Sequence, residues 1–237
     1  MARFWRGLAG SRCPVCARAT GETGPCPECS ERLAPRLAGY CTGCGALAEV
    51  ADQPAAMCAR CRIEPRPWDA LGFYGEYAGA LRDLVLLLKF GGRLGGLDLL
   101  RGLAWRAYKT HRDRPDGFAL EGPDLVAAVP LHWRRLLTRG YNQSMELARG
   151  VAKPLGVSLD ARALGKSRHT LPQSKLGARE RKANLAGAFV ADGSRVAGKN
   201  VLVVDDVMTT GATLEAASRA LRLAGARRVE VLVLARD

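Results

Sequence analysis

Apolar positions change their spacing along this chain, and the changes divide it. From residue 67 onward, strand-like and helix-like segments alternate. Ala70 to Tyr77 reads as a short strand or hairpin, and Gly79 to Phe90 as a helix with Leu81, Leu84, Val85 and Leu88 on one face. Leu94 to His111 is a second amphipathic helix. Asp124 to Val129 is a buried strand stopped by Pro130, and Gln143 to Leu155 is the helix that follows it. Val157 to Leu164 predicts another strand. Gly165 to Ala183 is polar, basic and interrupted by Pro172, which predicts a long loop passing into a short helical piece. Leu185 to Val190, Val201 to Val204 and Val229 to Leu234 supply further strands, with a helix over Gly211 to Ala224 between the last two. This alternation predicts an α/β fold with a doubly wound parallel sheet.

The first quarter has a different logic. It holds few large apolar residues but all eight cysteines, in four identical pairs: Cys13/Cys16, Cys26/Cys29, Cys41/Cys44 and Cys58/Cys61. A two-residue gap turns both sulfurs toward one tetrahedral metal, so four pairs complete two structural zinc sites. Disulfides would need an oxidising compartment, and MARFWRGLAG at the amino terminus lacks the apolar stretch of a secretory signal. A cytoplasmic location is the expectation. Sequential pairing gives two ribbons in series, with nine and thirteen residues between knuckles. Interleaved, cross-braced pairing stays open. Metal is expected to serve as the core of this module. The prolines of Glu64-Pro65-Arg66-Pro67-Trp68 end it, dividing the chain into residues 1–66 and 67–237.

Composition narrows the partners. The chain of 237 residues is 48% apolar, enough for a real core, and carries a formal charge of +13. Two zinc ions on eight thiolates would lower that to about +9. Leu131 to Lys199 carries fourteen Lys and Arg against four Asp and Glu, an excess suited to pyrophosphate or a nucleic-acid backbone. Leu84 to Leu88 falls far short of the roughly 20 apolar residues of a membrane span, so no membrane insertion is expected.

The most specific segment is Val201 to Thr213, VLVVDDVMTTGAT. A buried strand through Val204 opens onto Asp205 and Asp206, whose carboxylates can accept hydrogen bonds from the vicinal hydroxyls of a ribose. Val207 and Met208 lead to Thr209, Thr210, Gly211, Ala212 and Thr213 at a helix start. Backbone amides, threonine hydroxyls and a glycine there form a cradle for phosphate. The bland alternative is a buried strand whose acids merely cap the next helix.

That run resembles the phosphoribosyl pyrophosphate (PRPP) motif of type I phosphoribosyltransferases. With the cysteine pairs in the same chain, the resemblance narrows to the ComF family of double-zinc-ribbon, phosphoribosyltransferase-like proteins. Further family-like stretches are Leu87-Leu88-Lys89-Phe90, Val129-Pro130-Leu131-His132 and Arg139-Gly140-Tyr141-Asn142-Gln143-Ser144. Arg168-His169-Thr170-Leu171-Pro172-Gln173, Arg179-Glu180-Arg181-Lys182-Ala183-Asn184 and Gly187-Ala188-Phe189 follow. Tyr141 stands where the family often has phenylalanine. The resemblance implies PRPP binding through Val204, Asp205, Asp206, Met208 and Thr209 to Thr213. It adds a pyrophosphate loop at Pro130, Leu131 and His132, with Arg139 nearby. Asp205 and Asp206 would be the catalytic pair, with magnesium accompanying PRPP. Arg168, Gln173, Lys175 and Arg179 would lie on a flexible loop closing over substrate. His132 is the histidine worth testing, while His111 and His169 read as surface residues. The implied role is phosphoribosyl transfer to an unidentified acceptor in DNA uptake, or PRPP sensing by a nucleic-acid-binding adaptor without catalysis. Single-stranded DNA or a DNA-uptake helicase are the implied partners, and the oligomeric state is open.

Overall fold

The computed structural model describes residues 11–90, 96–114, 117–131, 136–137, 140–166 and 187–237. Its elements in chain order are α1 (Pro27–Glu31), α2 (Ala59–Ile63), β1 (Ala70–Glu76), α3 (Gly79–Phe90) and α4 (Leu97–Arg112), then β2 (Leu125–Ala128), α5 (Gln143–Leu155), β3 (Ser158–Leu159), β4 (Leu164–Lys166) and β5 (Phe189–Ala191). They end with α6 (Gly193–Val196), β6 (Asn200–Met208), α7 (Ala212–Leu223) and β7 (Arg228–Arg236). Five strands form one sheet in the order β1-β7-β6-β2-β3, every neighbouring pair parallel. β4 and β5 form a separate antiparallel pair.

The inner strands read as unbroken apolar runs because both faces are covered. On one face α3, α4 and α5 lay Leu84, Val85, Tyr108, Leu147 and Val151 over Val126, Leu202, Val204 and Leu232. Opposite them, Leu214, Ala217 and Leu221 of α7 pack over Val201, Val203, Val231 and Val233. Each fully buried Val or Leu contributes about 1.5 to 3 kcal/mol against its exposed state. Among the described residues no helix is long and apolar enough to cross a membrane.

Three sequence expectations need correction. Val157 to Leu164 is two elements: Asp160 accepts a hydrogen bond from the Arg162 amide (2.8 Å) and turns the chain between β3 on the main sheet and β4 on the small one. Asp205 and Asp206 do not follow the strand; they lie inside it, because β6 keeps its register with β7 through Met208↔Arg236. His111 is buried, its ring nitrogen 3.0 Å from the Phe73 carbonyl. The expected loop over Gly165 to Ala183 lies outside the described residues from position 167 on.

The cysteine region is an internal repeat, hydrogen bond for hydrogen bond. Cys13 N donates to Arg18 O (2.8 Å) and Ala17 N to Cys13 O (2.9 Å); Cys41 N donates to Ala46 O (2.9 Å) and Gly45 N to Cys41 O (2.7 Å). In each unit the second pair starts a short helix, with Cys26 capping α1 and Cys58 capping α2. The residue after the first knuckle is left-handed in both, Ala17 at φ 61° and Gly45 at φ 68°. Only the first unit places a side chain in that strained region, at a cost of up to about 1 kcal/mol. Ala17→Gly is therefore expected to slow chelator-driven metal loss from the first unit, measured against wild type.

Candidate functional site

Connectivity places the site. From β2 the chain crosses through α5 to β3; from β6 it crosses through α7 to β7, on the opposite side and the opposite face. The β2–β6 boundary is thus the switch point of the sheet, where the carboxyl ends of the strands open a crevice. β2 stops at Ala128, opposite Val204, and Val129 N still donates to Val204 O at 2.9 Å. Beyond that level, among the described residues, β6 pairs only with β7. Asp205 and Asp206 occupy this one-sided extension, and Pro130 and Leu131 leave β2 at the same end.

Residues distant in sequence converge on the two acids. Asn142 Nδ2 donates to Val129 O (3.0 Å), pinning the start of α5 to the end of β2, and its Oδ1 caps the helix by accepting from Ser144 N (3.0 Å). Ser144 Oγ then donates to Asp205 Oδ1 at 2.7 Å. From α3, Lys89 Nζ pairs with Asp206 Oδ2 at 3.0 Å. The Tyr141 hydroxyl donates to the Leu88 carbonyl, holding the end of α3 against the same corner. Roles for Lys89, Ser144 and the Tyr141 hydroxyl are not evident from spacing; the only sequence sign was that all three fall within family-like stretches.

The acids differ in charge behaviour. Burial, followed by the charge of Asp206, pushes the Asp205 carboxyl up to about 7, although the Ser144 hydroxyl and the Asp206 amide favour its ionised form. The folded chain therefore binds more protons than the unfolded one between the ordinary carboxylate range and about pH 7. The associated stability is present in acid and lost as pH rises through that window. Asp205→Asn keeps an oxygen for Ser144 and for the Asp206 amide but carries no charge. It is expected to gain roughly 2 kcal/mol over wild type at pH 8 and little at pH 4, measured by urea denaturation.

After Met208 the loop Thr209-Thr210-Gly211 turns into α7. Gly211 takes φ 81° at the N-cap, a left-handed conformation that a side chain would strain. Thr210 Oγ1 accepts from Ala212 N at 3.4 Å, and Glu215 N donates to Gly211 O. Val204, Asp205, Asp206, Met208, Thr209, Thr210, Gly211, Ala212 and Thr213 thus run from the last residues of β6 through this loop into the first turn of α7. His132, Arg139, Arg168, Gln173, Lys175 and Arg179 lie outside the described residues.

The cysteines gather as Cys13, Cys16, Cys26 and Cys29, and as Cys41, Cys44, Cys58 and Cys61, each set with its sulfurs within 4.8 Å of one another. Pairing is sequential, not interleaved. All eight are free of disulfides, and Cys16 and Cys26 stand 3.8 Å apart, close to the sulfur separation of a tetrahedral thiolate zinc site. The knuckles also carry amide-to-sulfur bonds, Cys26 N to Cys13 Sγ (3.4 Å) and Cys58 N to Cys41 Sγ (3.2 Å). Burial would raise Cys13, but the Cys16, Cys26 and Val15 amides outweigh it and bring the thiol down to about 6. Burial and neighbouring cysteines push Cys29 and Cys61 up to about 12. Four soft sulfurs, three of them buried in each set, could hold zinc in either set.

The chain is similar to known proteins. The phosphoribosyl transferase domain family matches residues 136–237. DNA utilization protein YhgH of Escherichia coli is 37% identical over 224 residues, 92% of each chain. Competence protein F of Haemophilus influenzae is 30% identical over 217 residues, 91% of each chain. Among solved structures, the glutamine PRPP amidotransferase from B. subtilis complexed with ADP and GMP is 24% identical with a TM-score of 0.37. The match covers 58% of this chain and 25% of the amidotransferase. TT1426 from Thermus thermophilus is 20% identical with a TM-score of 0.33, over 58% of this chain and 72% of that one. A phosphoribosyl transferase domain following two four-cysteine clusters, with near full-length similarity to YhgH and Competence protein F, makes this chain a member of the ComF family.

Proposed function

We propose that the chain binds PRPP at the β6–α7 crevice and transfers its phosphoribosyl group to an acceptor in DNA uptake or utilisation. The observation that carries this reading is the convergence of Lys89 and Ser144 on Asp206 and Asp205 at the switch point, on the strand that leads into the Thr209 to Gly211 loop. Asp205 and Asp206 would accept hydrogen bonds from the ribose hydroxyls, and the amides and hydroxyls of Thr209 to Thr213 would hold the 5-phosphate. Pro130 to His132, with Arg139, would border the pyrophosphate. In such a transfer the bond from ribose C1 to pyrophosphate breaks with cationic character at C1, so fixed carboxylates and exclusion of water carry much of the barrier. The loop bearing Arg168, Gln173, Lys175 and Arg179 would provide that exclusion.

The acid pair fits magnesium that arrives with PRPP, since two carboxylates, one already paired with Lys89, do not make an oxygen cage of their own. Magnesium, when bound, neutralises the pyrophosphate leaving group. Zinc suits both cysteine sets, which form the module of residues 1–66 ahead of the donor domain of residues 67–237. Eight thiols kept for metal suit a reducing compartment and support a cytoplasmic location. The basic excess from Leu131 to Lys199 supports contact with single-stranded DNA directly or beside an uptake helicase. DNA affinity is then expected to fall steeply across a salt series, and a flat response would remove that partner.

The test is pyrophosphate release from PRPP and magnesium by zinc-loaded protein offered candidate nitrogen acceptors. Release that disappears in Asp206→Asn supports transfer. Tight PRPP binding without turnover for any acceptor would instead identify a ligand sensor.

A further inference from the structure

The second cysteine set is tied to the loop Thr209 to Gly211. Its first knuckle, Cys41 to Cys44, is fastened to that loop by two side chains from outside the ribbon. Trp68 Nε1 donates to the Gly43 carbonyl at 2.8 Å, while its ring reaches the loop: a Cβ added to Gly211 would stand 3.5 Å from Trp68 Cη2. Arg236, at the end of β7, donates from Nε to the Cys44 carbonyl (3.2 Å) and from Nη1 to the Met208 carbonyl (3.1 Å). Both side chains are buried, at 6% and 9% exposure, so neither bond is exchanged freely with water. Arg66 adds a third tie, pairing with Glu215 in the first turn of α7 while lying against Cys61. The knuckle is therefore attached to both ends of the loop, at Met208 and at Gly211. The first cysteine set lies elsewhere, packing through Val15 on the core face of α3 and α4.

We propose that the second cysteine set is a positioning element of the phosphate loop, with Trp68 and Arg236 as the positioning residues that couple its metal to anion binding at Thr209 to Thr213. The proposal rests on the PRPP reading of that loop. A knuckle closed on metal fixes the Gly43 and Cys44 carbonyls, which fix the indole and the guanidinium, which fix the loop's ends. Coupling of this kind is reciprocal: metal at Cys41, Cys44, Cys58 and Cys61 tightens PRPP binding, and PRPP holds that metal by the same factor. The ion at Cys13, Cys16, Cys26 and Cys29 gains no such protection.

The experiment follows zinc release from the full-length, doubly loaded chain into a chromogenic chelator, with and without saturating PRPP and magnesium, while calorimetry measures PRPP binding on the same sample. The expected result is that PRPP slows release of one ion by about 5-fold or more and leaves the other unchanged. Cys16→Ser, which disables only the first set, identifies the protected ion as that of the second. Trp68→Phe removes the donor to Gly43 and the reach of Cη2 toward Gly211, and Arg236→Met removes both carbonyl contacts; each is expected to abolish the selective protection. PRPP that binds but protects neither ion, or both equally, overturns the coupling. Protection that survives in both variants overturns the assignment to Trp68 and Arg236. Failure of PRPP to bind the doubly loaded chain overturns the donor-site reading, and the coupling with it.

Discussion

Cys44→Ser is expected to leave one zinc ion per chain instead of two and to weaken PRPP binding strongly, whereas Cys16→Ser loses one ion with little effect on PRPP. The asymmetry follows from what each ribbon packs against. The core of the second set is little more than Cys41, Cys44 and Cys61, with Ala46 and Cys58 beside them. Little apolar area remains to hold that fold once the metal is gone. Apparent binding free energies of structural zinc sites run to about 10 to 16 kcal/mol, so losing one thiolate ligand removes the larger share of what orders the ribbon. Disorder there would also reach the sheet, because Tyr40 stacks edge-on against Phe73 at 4.8 Å and Trp68 bridges Gly43 and Gly211. Metal content by atomic absorption, paired with calorimetry of PRPP, checks both halves. Equal loss of PRPP binding in the two variants would count against the asymmetry.

Asp206→Asn is expected to cost about 10- to 100-fold in PRPP affinity, the size of one charge-assisted hydrogen bond, and to lower stability as well. The stability loss comes from the other side of the ion pair. Lys89 Nζ, on a side chain only 18% exposed, would be left without its carboxylate. Adding Lys89→Met to Asp206→Asn removes the stranded charge, so the double variant is expected to recover most of the stability by urea denaturation. It is expected to recover none of the PRPP binding, because the ribose still lacks a charged acceptor. A double-mutant cycle with coupling near zero in stability would show that the pair does not interact.

Much of this arrangement is legible from residue types, and the exceptions have physical causes. The runs Leu125 to Ala128 and Val201 to Val204 identify themselves because a doubly covered parallel strand needs apolar residues at every position. The same run misleads at its end. Two acids look like a terminus, yet Val207 and Met208 resume pairing with Ala235 and Arg236, and the carboxylates are tolerated only because β2 has already stopped alongside. Cysteine spacing specifies two four-sulfur sites but permits either pairing, since knuckle geometry is local and the choice of partner is not. Lys89 sits in a helix whose apolar face is easy to read, but its ion pair depends on where α3 ends relative to β6. The Tyr141 hydroxyl has a partner, Leu88, that sequence cannot supply. His111 reads as a surface residue because only the tertiary fold buries it, beside the Phe73 carbonyl.

The central claim is that the crevice at Asp205, Asp206 and Thr209 to Thr213 is a PRPP site. Titration calorimetry of PRPP with magnesium into the doubly zinc-loaded chain tests it most directly. The account predicts one PRPP per chain, with affinity reduced at least 10-fold in Asp206→Asn, the lower bound set by loss of a single charge-assisted bond. No heat of binding with wild-type protein, or equal binding by Asp206→Asn, would contradict it.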